Sequence, residues 1–301
     1  MPTYALLGAT GATGSAILRC LLASPPPDLD LNILVRSKQK LLKSFPTLTT
    51  TISPRIHIIQ GNSTDTIALQ QCLEDASVAF MCVADNASNK GVSLTADTVT
   101  AIVTTLGMLR KLHGSAYNAP TILQLRSASL NPKLSCQVPR LVYNIVSFCL
   151  HYSHLDIVKA CEHYEAAAAK GLLSYIYVDP PTIHDAFGPN RTGHKLISCK
   201  PDVCDKQETA LSYADLGAGF VEIASRKEDF LNQPVGVTAT GKAKETWGVL
   251  AGFLFDGAKG RARAWWEEER PMSKPQNLFL YCVMVSLAAV VLVQYTGTMN
   301  R

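Results

Sequence analysis

Three equally spaced glycines stand near the start of the chain, in the stretch GATGATG. Gly8, Gly11 and Gly14 follow a short apolar run over residues 4–7 and precede residues with helical periodicity. Glycines at a junction between strand and helix let the backbone approach a pyrophosphate, which the N–H groups and dipole of the helix N-terminus then bind. The stretch predicts a dinucleotide-binding turn. The alternative is that the same fold keeps this turn but no longer binds a nucleotide.

Positively charged side chains follow the second apolar run, in ILVRSKQK. An NAD-selective site normally has an acidic residue at this point, which accepts hydrogen bonds from the ribose 2′-hydroxyl. Arg36 and Lys38 would instead neutralise a 2′-phosphate, and Thr10 lies in the adjacent turn. We therefore expect NADP (NADPH) as the cofactor, with Asn62 beside its adenine. The alternative is that the two cations form a solvated surface at the end of a strand.

Two serines follow the fifth apolar run, in LQLRSASLNP. Because ligands bind at the carboxyl ends of parallel strands in open α/β sheets, Ser127 and Ser129 are candidates for contact with a substrate.

The elements that position these residues are predicted by apolar runs that alternate with helical segments. This alternation indicates an α/β fold, a Rossmann-like doubly wound parallel sheet. The predicted strands cover residues 4–7, 31–35, 56–60, 78–83, 121–126 and 173–178. The predicted helices cover residues 12–23, 67–74, 95–112 and one helix or more within 138–170.

Beyond Asp179, apolar runs and helical segments no longer alternate regularly. The segment DPPTIHDAFGPNRTGHK predicts a long loop, of the kind that covers a substrate. A helix beginning at Ser212 or Asp215 and a late strand in QPVGVTATG follow. We therefore expect one dinucleotide-binding domain over residues 1–265, with a small substrate-covering region over about 180–265.

Composition narrows the class of protein. The chain has 301 residues, 47% hydrophobic and 17% charged, which is typical of a globular protein with a core. A net charge of +4 with no basic run among aromatic residues disfavours nucleic acid as a partner. Nine cysteines without CxxC spacing favour reduced thiols in the cytosol. Cys199, Cys204, His184 and His194 lack the spacing of a common zinc site, so no metal is expected.

The final stretch of the chain changes character. A linker over residues 266–277 precedes LFLYCVMVSLAAVVLVQY, residues 278–295, which has no charge. As a helix it would span roughly 27 Å, close to the thickness of a bilayer core. Nearby Trp265, Trp266 and several cations suit a membrane interface. We expect a C-terminal apolar helix that anchors the chain to a membrane such as the endoplasmic reticulum, facing the cytosol. The alternative is a helix docked on a hydrophobic groove or a partner subunit.

Several segments together resemble one known family. GATGATGSAIL, ILVRSK, IQGNSTD, FMCVADN, LRSASLNP, VSFCL and DIVKAC are similar to the averufin oxidase A family, an atypical, NmrA-like branch of the short-chain dehydrogenases found in fungal polyketide gene clusters. The resemblance covers about residues 1–265. It implies a nicotinamide-dependent oxidation, reduction or ring rearrangement of an aromatic polyketide intermediate of the anthraquinone or xanthone type.

The resemblance also implies roles for two residues. Short-chain dehydrogenases have a serine after the fifth strand, so Ser127 would hold a substrate oxygen. They continue with a Tyr-x-x-x-Lys helix, so Lys159 would steady the ribose or a catalytic acid. Here Leu155 stands four residues before Lys159, where the tyrosine would be.

The missing tyrosine leaves the proton donor open. His154, Tyr152 and Asp156 lie close enough in sequence to replace it. His154 is the preferred candidate because an unperturbed histidine has a pKa near neutrality. Phenolic groups of a quinone or hydroquinone substrate would reduce the need for a protein acid, leaving mainly positioning and electrostatics to the protein.

Two other classes of function stay open on the sequence. One is a nucleotide-sensing regulator of the NmrA-like kind, which the missing Tyr-x-x-x-Lys pattern favours. The other is a non-redox isomerase, dehydratase or auxiliary protein that binds the same substrate.

Overall fold

A computed structural model describes residues 2–51, 54–85, 88–186, 188, 191–198 and 205–268. The elements in chain order are β1 (Thr3–Leu7), α1 (Ala12–Ala23), β2 (Asp30–Val35), α2 (Lys38–Ser44), β3 (Arg55–Gln60), α3 (Thr66–Leu73), β4 (Val78–Met81), α4 (Leu94–His113), β5 (Thr121–Leu125), α5 (Pro132–Ser135), α6 (Arg140–Cys149), α7 (His151–Ala168), β6 (Ser174–Asp179), β7 (Thr182–His184), β8 (His194–Ser198), β9 (Ala210–Ser212), α8 (Tyr213–Ser225), β10 (Gln233–Ala239) and α9 (Trp247–Glu268).

The central sheet has the strand order β3-β2-β1-β4-β5-β6-β10-β8. Every neighbouring pair is parallel except β10 and β8, which run antiparallel. The first six strands follow the Rossmann order, and the direction of winding reverses between β1 and β4. The carboxyl ends of these two strands therefore form the crevice in which such folds bind their ligands.

The sheet is buried on both faces, as the long apolar runs require. Alternate residues of each strand point to opposite faces. Leu6 and Ile33 contribute to the core that also contains buried residues of α1 and α8. Leu7 and Met81 contribute to the core that contains residues of α3, α4 and α7. Each fully buried side chain of this size contributes about 1.5–3 kcal/mol, so the two cores fix the positions of the strand ends.

The predicted Rossmann-like sheet is confirmed, with one correction. The six predicted parallel strands occur within a few residues of their expected bounds, and the late strand is β10. The segment expected as a long loop also contains structure: β7 pairs with β9, and β8 closes the edge of the main sheet. These strands are short and partly polar, so they lack the continuous apolar run that marks a central strand.

The structure resolves two points that the sequence left open about the helices. The helical stretch over 138–170 divides into α6 and α7 at Leu150. Ser212 begins α8 as its N-cap, with its hydroxyl accepting a hydrogen bond from the Asp215 N–H.

Helix α9 was not expected, and it lies close to other elements. Its Gly257 approaches the backbone of Cys149 at the end of α6, and Gly260 approaches the backbone of Ser88. A Cβ atom at either position would meet backbone atoms, so the small residues permit this close packing.

The expected membrane anchor over 278–295 lies outside the described residues. Most of the expected linker, from residue 269 to residue 277, also lies outside them, and α9 continues past residue 265 to Glu268. Within the part of the chain that the structure describes, no helix is both long and apolar enough to cross a membrane.

Candidate active site

The three glycines occupy the turn between β1 and α1, at the point where the sheet reverses its winding. Gly8 has a φ of +89°, which favours glycine, and a Cβ atom there would lie 2.8 Å from the Cys82 carbonyl oxygen. Gly14 is buried, and a Cβ atom there would meet the Gly8 carbonyl oxygen. Gly11 is exposed and is the N-cap of α1, with its N–H donating to the Gly8 oxygen. These are the three parts of a pyrophosphate-binding turn: a tight turn, an open approach and close helix packing.

The first turn of α1 suits an anion. It contains no acidic residue, and Gly11 provides no side-chain cap for its N–H groups. An exposed glycine at this position leaves the backbone accessible, so the dipole and N–H groups of the helix are available to a phosphate. Thr10 is half-buried in the same turn. The residues present therefore fit a dinucleotide.

Arg36 and Lys38 lie where the sequence predicted, directly after β2 and at the start of α2. Both side chains are exposed, and neither forms an ion pair within the described residues. Two hydrogen bonds hold the backbone there. The Ser37 hydroxyl accepts from the Lys40 N–H, and the Gln60 side-chain oxygen accepts from the backbone N–H of Lys38 at 3.4 Å. Asn62 is exposed after β3, and its Oδ1 accepts from the Ser63 N–H. The structure thus gathers these residues around the carboxyl ends of β1, β2 and β3.

Ser127 belongs to a hydrogen-bonded chain of three side chains. Its Oγ lies 2.8 Å from the Ser129 Oγ, and the Ser129 Oγ lies 3.3 Å from the Nε2 of His154. A short 3₁₀ turn over residues 128–130 brings the two hydroxyls together, with the Ser129 N–H donating to the Ser127 Oγ. His154 comes from the first turn of α7. The structure therefore joins two of the three predicted catalytic residues through Ser129.

The state of His154 differs from the sequence expectation. Burial, with a smaller contribution from the charge of His151, lowers the pKa of His154 to about 4. The ring is therefore neutral near pH 7, and the argument from an unperturbed pKa near neutrality is corrected. A neutral imidazole has one nitrogen that accepts a proton, so His154 is suited to accept a hydrogen bond from Ser129.

A buried ion pair fixes the backbone beside Ser127. Arg126 donates to both carboxylate oxygens of Asp179 at 2.7 Å, and the Asn131 side-chain amide donates to the same carboxylate at 2.8 Å. The Arg126 guanidinium also lies 4.6 Å from the centre of the Tyr177 ring. Burial raises the pKa of Asp179, while Arg126 and Asn131 act in the opposite direction. This cluster ties the end of β5 to the end of β6, so it holds the serines in place.

Lys159 lies apart from the chain of Ser127, Ser129 and His154. Its side chain is exposed and has no hydrogen-bond partner within the described residues. It is five positions after His154 in α7, which turns it by about 140° around the helix. It shares a face of α7 with Leu155, the residue in the place of the tyrosine. The predicted role of Lys159 remains a prediction.

The other two candidate proton donors are engaged elsewhere. Asp156 is buried and accepts from the backbone N–H groups of Thr95 and Ala96, so it caps α4. The Tyr152 hydroxyl accepts from Arg261 of α9 at 3.3 Å.

The region after β6 is tied down by one carboxylate. Asp215, fully buried at the start of α8, accepts hydrogen bonds from the N–H groups of Thr192 and Gly193 and from the Ser212 hydroxyl. These bonds keep the pKa of Asp215 below its usual value despite burial. The loop that follows β7 is thereby fixed beside α8.

Metal ligation and thiol chemistry receive no support in the described part of the chain. No group of three metal-ligating side chains occurs there, and Cys199 and Cys204 lie outside it. The Nδ1 of His184 accepts from the Thr246 N–H, and His194 lies 2.9 Å from Glu222. Burial raises the pKa of Cys82, beside the glycine turn, to about 12.

The sequence indicates where Ser129, Arg126 and Asp179 lie along the chain, but not which residues they contact. Ser129 was placed at the sheet edge, but its link to His154 depends on how α7 packs. Asp179 ends one apolar run and Arg126 ends another. Once β5 and β6 are known to be neighbours, these opposite charges at the strand ends indicate an ion pair.

Comparison with known proteins gives two close relatives. The chain is 54% identical over 263 residues to averufin oxidase A of Aspergillus flavus, covering 87% of this chain and 92% of that protein. It is 50% identical over 271 residues to averufin oxidase stcO of Emericella nidulans, covering 86% and 90%. No family model matches the chain.

Among solved structures, the chain is similar to a short-chain dehydrogenase/reductase of wide type from Veillonella parvula, determined in complex with NADP. The TM-score is 0.58 with 16% identity, and the likeness covers 80% of this chain and 95% of that one. This likeness shows a Rossmann-like α/β fold with a mostly parallel central sheet.

Proposed function

Since the chain belongs to the averufin oxidase A family of fungal oxidoreductases, we propose that it is an NADP-dependent oxidoreductase of secondary metabolism. Its substrate is an aromatic polyketide intermediate of the anthraquinone or xanthone type. The observation that carries the proposal is the placement of the glycine turn and the Ser127–Ser129–His154 chain at the same edge of the sheet. The two follow β1 and β5, with only β4 between them, which corresponds to strand ends roughly 10 Å apart.

The cofactor site uses the residues of the first three strand ends. Gly8, Gly11 and Gly14 hold the pyrophosphate at the N-terminus of α1. Arg36 and Lys38 have no carboxylate partner within the described residues, so their charges are available to a 2′-phosphate. Thr10 and Asn62 complete the site beside the adenosine. When bound, the nicotinamide supplies hydride transfer.

The two serines and the histidine handle the proton. The Nε2 of neutral His154 accepts from the Ser129 hydroxyl, and the Ser129 Oγ accepts from Ser127. The Ser127 Oγ then accepts a hydrogen bond from a hydroxyl of the substrate. In the direction of oxidation, the proton passes from that hydroxyl through the two serines to His154. These three side chains together replace the missing tyrosine.

Lys159 and the apolar face of α7 position the substrate and cofactor. Lys159 steadies the ribose, as the family resemblance implies. Leu155 and Val158 are 45% and 41% exposed on α7, close to His154 in the helical pattern. An exposed apolar surface beside a polar chain suits a planar aromatic ring system.

We also propose that residues 278–295 anchor the chain to a membrane, with the folded domain over 1–265 facing the cytosol. The support is the sequence of this segment, which is long, apolar and uncharged. An anchored enzyme would meet its poorly soluble aromatic substrate at the surface of the bilayer.

The test of the proposed function is turnover by Ser127→Ala and Ser129→Ala variants. We expect each to lower kcat for oxidation of a hydroxylated anthrahydroquinone by NADP+ by about 100-fold or more, because each breaks the path of the proton to His154. The affinity for NADPH should not change. Ser225→Ala is the control, since Ser225 is exposed on α8 and bonds only within its own helix. Full turnover by both site variants would remove the serines from the mechanism.

The absence of the tyrosine favours one other function, a nucleotide-sensing regulator. Leu155 occupies the position of the proton donor, and it cannot transfer a proton. This reading predicts selective NADPH binding with no consumption of NADPH by any hydroxyanthraquinone.

A further inference from the structure

Arg261 is a half-buried cation that pairs with no carboxylate in the described part of the chain. It lies on α9, and its guanidinium carbon is 5.3 Å from the centre of the Tyr152 ring. Its Nη1 donates to the Tyr152 hydroxyl at 3.3 Å. Arg126 and Arg226 each bind an aspartate, whereas Arg261 forms no ion pair within the described residues. Its charge is therefore not neutralised by the protein there.

A second nitrogen donor lies beside it. His151, the first residue of α7, has its ring centre 5.1 Å from that of Tyr152. Burial, followed by the charge of Arg261, lowers the pKa of His151. The nearby acidic groups on these helices are engaged: Asp156 caps α4, and Asp256 pairs with Lys259. The cluster of Arg261, Tyr152 and His151 thus offers hydrogen-bond donors and positive charge.

The cluster is continuous with the proposed active site along one helix. His151 is three residues before His154, so both lie on neighbouring parts of the same face of α7. Leu155 is four residues after His151 and three after Tyr152, so the next turn of α7 places an apolar side chain beside the cluster. The surface is polar at Ser129, apolar at Leu155 and cationic at Arg261, which matches a flat ring system with oxygens at two ends.

We propose that Arg261, with His151, binds an ionised phenol oxygen of the aromatic substrate, at the opposite end of the ring system from the oxygen held by Ser127. A guanidinium forms strong charge-assisted hydrogen bonds with an anionic oxygen, and a nearby positive charge favours the ionised form of a phenol. The inference rests on the proposed function for its substrate class. It concerns binding alone, so it is testable without turnover.

The experiment uses 1,3-dihydroxyanthraquinone, a dye whose absorption moves to longer wavelength when a phenol group ionises. The full-length chain in mild detergent is titrated with the dye in the presence of NADP+, about one pH unit below the pKa of the dye in the same buffer. We expect the wild type to bind the dye with the spectrum of the phenolate. Arg261→Gln should bind it about tenfold more weakly, with the spectrum of the neutral dye. Arg261→Lys, which keeps the charge, should retain part of the shift.

Two controls show whether dye binding depends on the charge of Arg261 itself, rather than on the loss of any arginine from α9 or on a change in the shape of the site. Arg263→Gln removes an exposed arginine of the same helix and should behave as the wild type. The dimethyl ether of the dye cannot ionise and should bind the wild type and Arg261→Gln within about twofold of each other.

The inference is overturned if Arg261→Gln binds the dye as the wild type does, or if the wild type binds none or binds only the neutral form. An equal loss in Arg263→Gln would also overturn it. Loss of the proposed function appears differently, as an absence of NADPH consumption while the dye spectrum still shifts.

Discussion

At the scale of single residues, the proposed transfer of a proton depends on the state of His154. Its ring is neutral near pH 7 because burial disfavours the charged form. Its Nε2 lies 3.3 Å from the Ser129 Oγ, and a neutral ring is suited to accept the hydroxyl proton there. Ser129 and Ser127 connect the His154 ring to the end of β5 through hydrogen bonds.

The lowered pKa of His154 predicts a pH-dependent stability. The unfolded chain binds a proton to this group near its ordinary pKa of 6.5, while the folded chain does so only at about 4, so folding is weakened as the pH falls from 6.5 towards 4. The loss attributable to His154 is about 3 kcal/mol at most. We expect His154→Gln to lose less free energy of unfolding than the wild type between pH 7 and pH 4, measured by urea denaturation.

His163→Gln is the control for that measurement, because it removes an exposed histidine of the same helix. Equal pH dependence in wild type and His154→Gln would show that His154 titrates normally.

Arg36 is predicted to set the preference for the phosphorylated cofactor. Arg36→Asp replaces a charge that attracts the 2′-phosphate with one that repels it, so NADPH should bind at least about tenfold more weakly. NADH should bind as well as before or better. Fluorescence titration measures both constants, with Lys43→Gln, exposed later in α2, as the matched control. An equal weakening of NADPH and NADH would contradict this role.

Residue types predicted the candidates but not their partners. The glycines, Arg36 and Lys38 could be placed from local pattern because their environment is the adjacent turn. The hydrogen bond between Ser129 and His154 joins residues 25 positions apart, and the contact of Arg261 with Tyr152 joins residues 109 apart. Such contacts depend on how helices pack, which local spacing does not determine.

At the scale of elements, the turn between β1 and α1 leaves no room for a side chain at Gly14. A Cβ atom there would overlap the Gly8 carbonyl oxygen, so Gly14→Ala must displace the turn. We expect a loss of a few kcal/mol in stability and a loss of NADPH binding. Thermal unfolding and cofactor titration measure the two effects.

Gly107→Ala provides the contrast for that substitution. Gly107 lies within α4, with open space where its Cβ atom would be. Alanine is favoured over glycine in a helix interior by about 1 kcal/mol, so this variant should be as stable as the wild type or more so. Equal tolerance at both glycines would mean that the turn is not closely packed.

The elements that the sequence predicted well are those with a single dominant pattern. The parallel strands are buried apolar runs, and Ser212 is a regular helix cap. Strand β8 is short and lies at the antiparallel edge, so its pattern is weak. Helix α9 combines glycines with charged and aromatic residues, and its fit against α6 depends on tertiary contacts of Gly257.

At the scale of the whole molecule, alternation of strand and helix was enough to predict the Rossmann-like fold. It did not predict the hydrogen bonds that hold the chain at Thr192 and Gly193. Asp215 fixes that region through hydrogen bonds to the backbone of Thr192 and Gly193, which no periodicity reveals. We propose that strand β8 and these hydrogen bonds support the part of the domain that covers the substrate.

The proposed anchor predicts how the chain behaves in cells. After carbonate extraction of membranes, the full-length chain should remain in the pellet, because carbonate does not release a segment that spans the bilayer core, as proposed for residues 278–295. A chain that ends at Asn277 should appear in the supernatant. Release of the full-length chain by carbonate would argue against a spanning segment and favour docking on protein.

The central claim is that this fold binds NADPH selectively for redox chemistry at the end of β5. Its most direct test is a fluorescence titration of the full-length chain with NADPH and with NADH. We expect NADPH to bind at least about tenfold more tightly, because the 2′-phosphate gains the charges of Arg36 and Lys38. Equal affinities, or no binding of either nucleotide, would contradict the claim and leave the glycine turn as a feature of the fold alone.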